Sequence, residues 1–569
     1  MSNRLIILIG VFIFSLMVLL VAMPLLQLVI ITMSDDGRKA WYAVLVGDAS
    51  ANLFWEPFSN TLIIGILAAV GSVLLGSFMA WLVTLTDVPA WRVLGFMSII
   101  PFSFPPYSVA MVWESLFRNS RMGGYVGLIS KLGIDVPDWI AWGVLPISLT
   151  LVAQLFSLVF LLVSAALASI NSEIIEAAEL TGASRTRILH GIILPVVSPA
   201  IISSTLLVFA QGVSSFAPPA ILGIPVRFYT LSTRLQSAFR TGQEERAYVL
   251  ALLLVGINAL VLAMGSRITM GRSFAVFTGK GGRKVRQRLG LWRWPMLVIG
   301  GIFCGVTTIL PPLVLLITSL TRSGSLDGNF TLRYWTGQPD ELSHGIVGIL
   351  RNPDVLKATI NTLVLALTVS LFTIVLGLLV GYVTIRGKNK LVKNVVDYLS
   401  FFPLLIPSIA FGTIYIVQFS RPLGPIPALY GTLVLLVIAG VAHTVPFAAQ
   451  SGKAAMSQVA DELEEAAKLT GAGFILSITH IIIPLTARSL LASSVLVFTT
   501  MTRELSLVLL LATPGVSTLS IIAYEYLSYN GGALPQFAYA ITLIVVIVSS
   551  VATLLAYNLH TSLQLWLER

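Results

Sequence analysis

Residues 360–385 read INTLVLALTVSLFTIVLGLLVGYVTI, twenty-six positions without one charged side chain. About twenty such residues cross the hydrocarbon core of a bilayer as a helix, because a helix pairs every backbone N–H and C=O internally where no water can. Eleven further stretches read the same way. In the first half they lie near 5–31, 61–85, 94–117, 142–168, 196–221 and 246–266. In the second they lie near 295–320, 395–419, 429–450, 486–511 and 535–559. Composition agrees: of 569 residues, 56% are hydrophobic and 11% charged, against roughly 45–50% and about 25% in soluble globular chains. A water-soluble fold and a disordered chain are both excluded. The expectation is an all-α polytopic membrane protein with about twelve transmembrane helices. The first stretch is longer than a signal-peptide core and no small-x-small site closes it, so it reads as a retained helix.

Basic residues collect in loops on the cytoplasmic side. Arg267, Arg272, Lys280, Arg283, Lys284, Arg286, Arg288 and Arg293 stand between the halves with no acidic residue among them. Arg386, Lys388, Lys390 and Lys393 mark a second such loop, and Arg185 with Arg187 a third. All three agree with six spans per half and both termini inside. This placement also accounts for the net charge of +10 without a nucleic-acid partner. The lone cysteine, Cys304, permits no intrachain disulfide and no cysteine-based zinc site.

The chain repeats itself. Asn60-Thr61-Leu62 recurs as Asn361-Thr362-Leu363, and Pro101 and Pro105 recur as Pro403 and Pro407, at offsets of 301–302. Glu176-Ala177-Ala178 recurs as Glu465-Ala466-Ala467, Leu207-Val208-Phe209 as Leu496-Val497-Phe498, and Pro225 as Pro514, at an offset of 289. The drop falls between the third and fourth spans of each half. There the first half has a long outer loop, 118–139, and the second a short one, 420–428. The halves run the same way through the membrane, which makes a parallel repeat about a central pathway. The expected organisation is a first helix and outer loop (1–57), a first repeat domain (58–267), a basic linker (268–294), a seventh helix and outer loop (295–356) and a second repeat domain (357–560).

The loop after the fourth span reads Glu176-Ala177-Ala178-Glu179-Leu180-Thr181-Gly182-Ala183, and that after the tenth Glu465-Ala466-Ala467-Lys468-Leu469-Thr470-Gly471-Ala472. In each, Gly follows the Glu by six residues and a Pro, Pro195 or Pro484, by nineteen. Glu-Ala-Ala forms helix readily. Gly182 and Gly471 fit a C-cap or a tight turn needing positive φ. Each proline kinks or starts the following span. The reading is a short helix held at the membrane surface, one per half.

Here the sequence resembles the permease subunits of type I binding-protein-dependent ABC importers, whose signature is E-A-A-x-x-x-G followed by I-x-L-P. The resemblance is duplicated and runs from about Asn60 to Asn558; the second copy departs only in having Ile483 before Pro484. It implies that the loop is a coupling helix docking into a separate ATPase subunit. Glu176, Ala177, Ala178 and Gly182 would then meet one ATPase copy, and Glu465, Ala466, Ala467 and Gly471 the other. The chain has no G-x-x-x-x-G-K-[ST] phosphate loop. ATP and Mg are therefore expected on the partner, with no cofactor, metal or catalytic residue on this chain. The other implied partners are the lipid bilayer and a periplasmic or lipoprotein solute-binding protein, in a bacterial inner membrane.

Charge inside a span is costly and faces a cavity or the bundle interior. Arg503-Glu504 is the clearest such pair, and Ser214-Ser215 stand at the same place in the first half. These four either line the translocation path or, for Arg503 and Glu504, pair locally to hold a broken helix. His443 reads as a buried, satisfied imidazole, since no second metal ligand stands at suitable spacing. Gln154, Gln211 and Gln418 suit helix–helix hydrogen bonds as well as substrate contact. Pro101, Pro105, Pro106, Pro403 and Pro407 should break or kink their spans.

For cargo, the stretches 219–225, 229–234 and 503–515 look like those of fused ferric-iron permeases. Related fused permeases serve thiamine, aminoethylphosphonate and phosphorylated sugars. A secondary transporter of major-facilitator type also has twelve spans in parallel halves. It would carry Gly-x-x-x-Asp-Arg-x-Gly-Arg after its second span, where this chain has Thr86-Asp87-Val88-Pro89-Ala90-Trp91-Arg92. A membrane enzyme would need histidine pairs or clustered carboxylates, and five scattered histidines do not supply them.

Overall fold

The computed structural model describes the chain except residues 1–2, 124–125, 171, 270–285, 322–329, 338–346, 423, 426, 514, 529–533 and 568–569. Arg272, Lys280, Arg283, Lys284 and Pro514 therefore lie outside the described residues. Among those described, the backbone is almost entirely helical, and β pairing is confined to two isolated bridges, Thr86 with Gln287 and Thr321 with Phe330. Among the described residues nine helices are long and apolar enough to cross a membrane, and three bent pairs raise the number to twelve.

The first half runs α2 (Ala51–Leu85), α3 (Trp91–Ser103), α4 (Pro106–Phe117), α5 (Val144–Ala168), α6 (Ser172–Leu180), α7 (Thr186–Ser214), α8 (Ala217–Leu222), α9 (Leu231–Arg240) and α10 (Glu244–Thr269). It follows a leading helix, α1 (Ile6–Thr32). The second half repeats it after its own leading helix, α11 (Gly290–Leu320). Its elements are α12 (Pro353–Arg386), α13 (Lys390–Leu405), α14 (Ser408–Phe419), α15 (Leu433–Ser457), α16 (Asp461–Leu469), α17 (Ile483–Thr502), α18 (Ser506–Leu511), α19 (Leu519–Ser528) and α20 (Leu534–Leu567).

Prolines act in two ways. Where a proline follows a 3₁₀ turn, the span breaks: α3 and α4 meet at 98° around Pro105, and α13 and α14 at 107° around Pro407. At five other places the helix absorbs the proline. Five π-helical turns end at Ala22, Trp55, Ile193, Ile309 and Ile482, each two residues before a proline: Pro24, Pro57, Pro195, Pro311 and Pro484. A proline ring has no N–H to donate and crowds the carbonyl one turn back; the wider π turn moves that carbonyl aside. So Pro195 starts no span, its helix already beginning at Thr186, whereas Pro484 is the second residue of α17, which follows directly on the π turn. Two expected spans need correction. The stretch 196–221 is not one helix but α7 and α8, broken where Ser215 turns to extended backbone. Likewise 486–511 divides into α17 and α18 around residues 503–505.

The helices pack as two units. One comprises Ala51–Arg234 and Gly256–Tyr334, the other Met1–Ser50, Leu235–Val255 and Trp335–Arg569. Each unit thus contains the leading helix of the opposite half. In the unit built on the second half, α1 packs on α12, α13 and α14, and the Tyr415 hydroxyl donates to Leu20 O at 2.7 Å. In the unit built on the first half, α11 packs on α2, α3 and α4. There Thr308 Oγ1 donates to Met97 O at 2.8 Å, Phe303 meets Phe156 edge-on at 4.7 Å, and Cys304 lies buried 3.8 Å from Ser98 Oγ.

Small residues set the closest approaches, as expected where lipid gives helices no hydrophobic drive to associate. A Cβ placed on Gly452 of α15 would stand 1.9 Å from Gly377 O of α12. One on Gly76 of α2 would stand 2.6 Å from Phe156 O of α5. The end of the inter-half linker is clipped to the loop after α2. Gln287 N donates to Leu85 O at 2.7 Å, Leu289 N donates to Asp87 Oδ1 at 2.7 Å, and the Arg286 guanidinium lies 3.5 Å over the Trp91 ring.

Candidate functional site

The duplicated Glu-Ala-Ala stretches form α6 and α16, each nine residues long. Gly182 and Gly471 end them with φ of +78° and +83°. Ala183 N donates to Ala178 O at 3.0 Å and Ala472 N to Ala467 O at 2.9 Å. Together these make a Schellman cap, satisfying carbonyls that a helix end would leave bare. Glu176, Ala177, Glu465 and Ala466 face solvent, whereas Ala178 is half-buried and Ala467 buried.

Two positions that sequence reading passed over are the most telling. Leu180 and Leu469, 289 residues apart, are each 89% exposed, and Ile174 and Leu463, again 289 apart, are exposed beside them. A fully exposed leucine forgoes roughly 1.5–3 kcal/mol of burial. Two matched apolar pairs on short, rigidly capped surface helices form faces suited to cover by a partner. The signal was present in the sequence as leucine at the same position of both copies.

The four polar path candidates lie at the helix breaks. In the first half, Ser214 ends α7 and its Oγ accepts from Asn258 Nδ2 at 2.8 Å, while Ser215 O accepts from Ser232 Oγ at 2.6 Å. In the second, Arg503 caps the end of α17. Glu504 Oε1 accepts from Leu507 N at 3.1 Å, capping α18, and Glu504 O accepts from Ser520 Oγ at 2.7 Å. The same hydroxyl–carbonyl bond therefore recurs in both halves, although the residue supplying the carbonyl changes from serine to glutamate.

The repeated Asn-Thr pair explains how the chain beyond each break is held. Thr61 Oγ1 accepts from Leu231 N at 3.0 Å and Thr362 Oγ1 from Leu519 N at 2.9 Å. Asn60 Nδ2 donates to Tyr229 O and Asn361 Nδ2 to Ser517 O, each at 3.0 Å. Side chains of α2 and α12 thus cap α9 and α19, an unusual N-cap in that the acceptor comes from a distant helix. Gln154 and His443, also 289 apart, serve the proline breaks. Gln154 Nε2 donates to Phe104 O at 2.8 Å; His443 Nε2 lies 3.3 Å from Ser408 Oγ, but Nδ1 is buried without a hydrogen-bond partner among the described residues, so the imidazole is only half satisfied. Gln211 is exposed, whereas the Gln418 amide is buried with no hydrogen-bond partner among the described residues. A buried ion pair, Glu114 with Arg118, ends α4. Among the described residues no three His, Cys, Asp or Glu groups stand close enough to hold a metal ion.

Comparison with known proteins falls on the same repeat. Residues 72–269 and 373–564 each match the family described as binding-protein-dependent transport system inner membrane component. Among curated relatives, the chain is 25% identical over 434 residues to the ferric transport system permease protein FbpB of Actinobacillus pleuropneumoniae, covering 73% of this chain and 58% of that one. It is 26% identical over 435 residues to the putative ferric transport system permease protein FbpB 1 of Haemophilus influenzae, covering 73% and 64%. Over 531 residues it is 23% identical to the Fe(3+)-transport system permease protein FbpB 2 of the same organism, covering 90% and 92%. The chain thus spans about six-tenths of the length of the first two relatives and nearly all of the third.

Proposed function

Because this chain belongs to the family of binding-protein-dependent transport system inner membrane components, we propose that it is the membrane permease of an ATP-driven importer. The observation that carries the reading is the pair of in-register helices, α6 and α16, each with a positive-φ glycine cap and an apolar tip exposed at 89%. A groove on an ATPase subunit buries such a tip, so two ATPase copies serve one fused chain, and α6 and α16 lie on the cytoplasmic side with both termini. ATP and Mg stay on those partners. Closure of the ATPase pair pushes the two helices, and the halves rock between inward- and outward-facing states. A soluble binding protein delivers cargo on the opposite side.

The cargo is ferric iron. Three relatives whose names state ferric transport support this, as does the carboxylate of Glu504 at the break between α17 and α18. Carboxylate oxygen is a hard ligand suited to a hard cation. Arg503, Glu504, Ser214 and Ser215 line the pathway. The test is uptake of radiolabelled ferric iron by cells with and without this gene, its ATPase and binding protein being present. Loss of uptake on deletion, restored by this chain, supports the assignment. Unchanged iron uptake removes iron and moves aminoethylphosphonate, phosphorylated sugar and thiamine forward. Uptake abolished by a protonophore while ATP is maintained overturns the ATP-driven reading in favour of a secondary transporter.

A further inference from the structure

The two coupling helices are not fastened alike. In the second half, Glu464 of α16 is 4% exposed although Leu463 and Glu465 on either side of it face solvent. Its Oε1 accepts from Arg386 Nε at 2.7 Å and its Oε2 from the Tyr382 hydroxyl at 3.2 Å. Arg386 is the last residue of α12. The same guanidinium pairs with Asp461 at the start of α16 and donates through Nη2 to Val459 O, 2.5 Å away, in the turn before it. One turn back along α12, Tyr382 packs with Met456 and Ile482 in a buried cluster. The arginine fork uses all three nitrogens on one short helix and the turn leading into it, a geometry lysine could not reproduce.

The first half cannot build this. At the positions 301 residues before Tyr382 and Arg386 stand Trp81 and Leu85. At the positions 289 before Asp461 and Glu464 stand Ser172 and Ile175. The cation and both carboxylates are absent from a repeat that otherwise keeps its capping glycines, its exposed leucines and its Asn-Thr pair.

We propose that Arg386, Glu464 and Tyr382 are positioning residues that lock α16 to α12 as a rigid strut, so that the ATPase stroke enters the second half through a link whose residues the first half does not repeat. This rests on the reading of α6 and α16 as ATPase-docking helices. In that reading a buried, multiply hydrogen-bonded pair serves geometry more than stability. The strut holds the exposed Leu469 tip in a fixed orientation, and the matching positions of α2 and α6 carry Trp81, Leu85, Ser172 and Ile175, which cannot form the same ion pair.

The experiment uses the full transporter, this chain with its ATPase and binding protein, in membranes. Leu180→Cys and Leu469→Cys are made separately and coupled to a photoactivated maleimide cross-linker. Native Cys304, fully buried, does not compete. In otherwise unaltered chains both positions should cross-link to the ATPase; if neither does, the docking reading itself fails. Glu464→Gln should then lower the cross-link from position 469 at least fivefold and leave that from position 180 unchanged. Without the cysteines, the same substitution should raise the ATP hydrolysed per solute imported. Tyr382→Phe, which removes a single hydroxyl, should act in the same direction more weakly and decides the matter if Glu464→Gln does not accumulate. Equal loss at both positions, or no loss at 469, overturns the strut.

Discussion

A valine at position 471 isolates what the glycine cap does. An ideal Cβ at Gly471 meets nothing within 4 Å, so no neighbour resists a side chain. The whole penalty is conformational: with φ at +83°, an L-residue pays about 1–2 kcal/mol, asparagine less and a β-branched residue more. That is a factor of about 5–30 in the population holding the cap. Without the cap the tip carrying Leu469 loses its fixed direction. Solute uptake at equal membrane abundance should therefore fall in the order Asn, Ala, Val, with the valine variant down about 5–30-fold. Gly471→Asp should leave the chain in the membrane and uncouple ATP hydrolysis from uptake. Gly473 is the control, because it lies in the same loop, has the same open surroundings and lacks a positive φ; Gly473→Ala should be neutral. The assay is initial uptake rate, normalised to chain in the membrane, alongside ATP turnover. Wild-type uptake in Gly471→Val would show that the cap does not direct the tip, as would a matching loss in Gly473→Ala.

Other perturbations test other parts of the argument. Gly452→Ala sets a Cβ 1.9 Å from the Gly377 carbonyl; backbone cannot yield there as a side chain would, so the chain should fail to accumulate, measured by quantitative immunoblot of membranes. Thr61→Val and Thr362→Val each remove an N-cap acceptor and should cost about 1 kcal/mol, read as a lowered Tm in detergent; an unshifted Tm for both would remove the caps' importance. Glu504→Gln keeps an oxygen for Leu507 N and so should preserve the fold while cutting ferric uptake at least tenfold, whereas unchanged uptake would leave Glu504 a helix cap alone. Gln154→Leu strands the Phe104 carbonyl at the proline break and should cost about 1–3 kcal/mol, again measured as Tm.

What the sequence made legible follows from what hydropathy and local chemistry encode. Span number was readable because a bilayer demands about twenty apolar residues per crossing. The breaks at Pro105 and Pro407 and the caps at Gly182 and Gly471 were readable because those residues restrict or free the backbone themselves. The breaks after Ser214 and Thr502 were not, since serine and threonine sit in membrane helices as easily as at their ends. Nor could hydropathy say which helix packs on which: α1 and α11 look alike in composition, and their crossing into the opposite unit depends on contacts hundreds of residues away. The Asn-Thr repeat was visible as a repeat, but its purpose lies in Leu231 and Leu519, some 157–170 residues further on. Glu464 was hidden beside the motif glutamate, its burial set by an arginine 78 residues earlier.

The exchange of leading helices also sets a clock. α1 ends at residue 32, and α12, the first helix of the second repeat on which it packs, begins at residue 353. At ~5–20 residues per second, synthesis takes on the order of tens of seconds to cover that interval. In water an apolar helix left alone so long would aggregate; in a bilayer the acyl chains solvate it about as well as protein does. Its wait is harmless, and a swap that a soluble protein could hardly tolerate becomes cheap. α11 emerges directly after the helices of the first half, so the unit built on those helices closes first. The other remains open until the last third of the chain has been inserted, and a ribosome that stalls before then leaves a first half that is assembled and a first helix still without α12, α13 and α14.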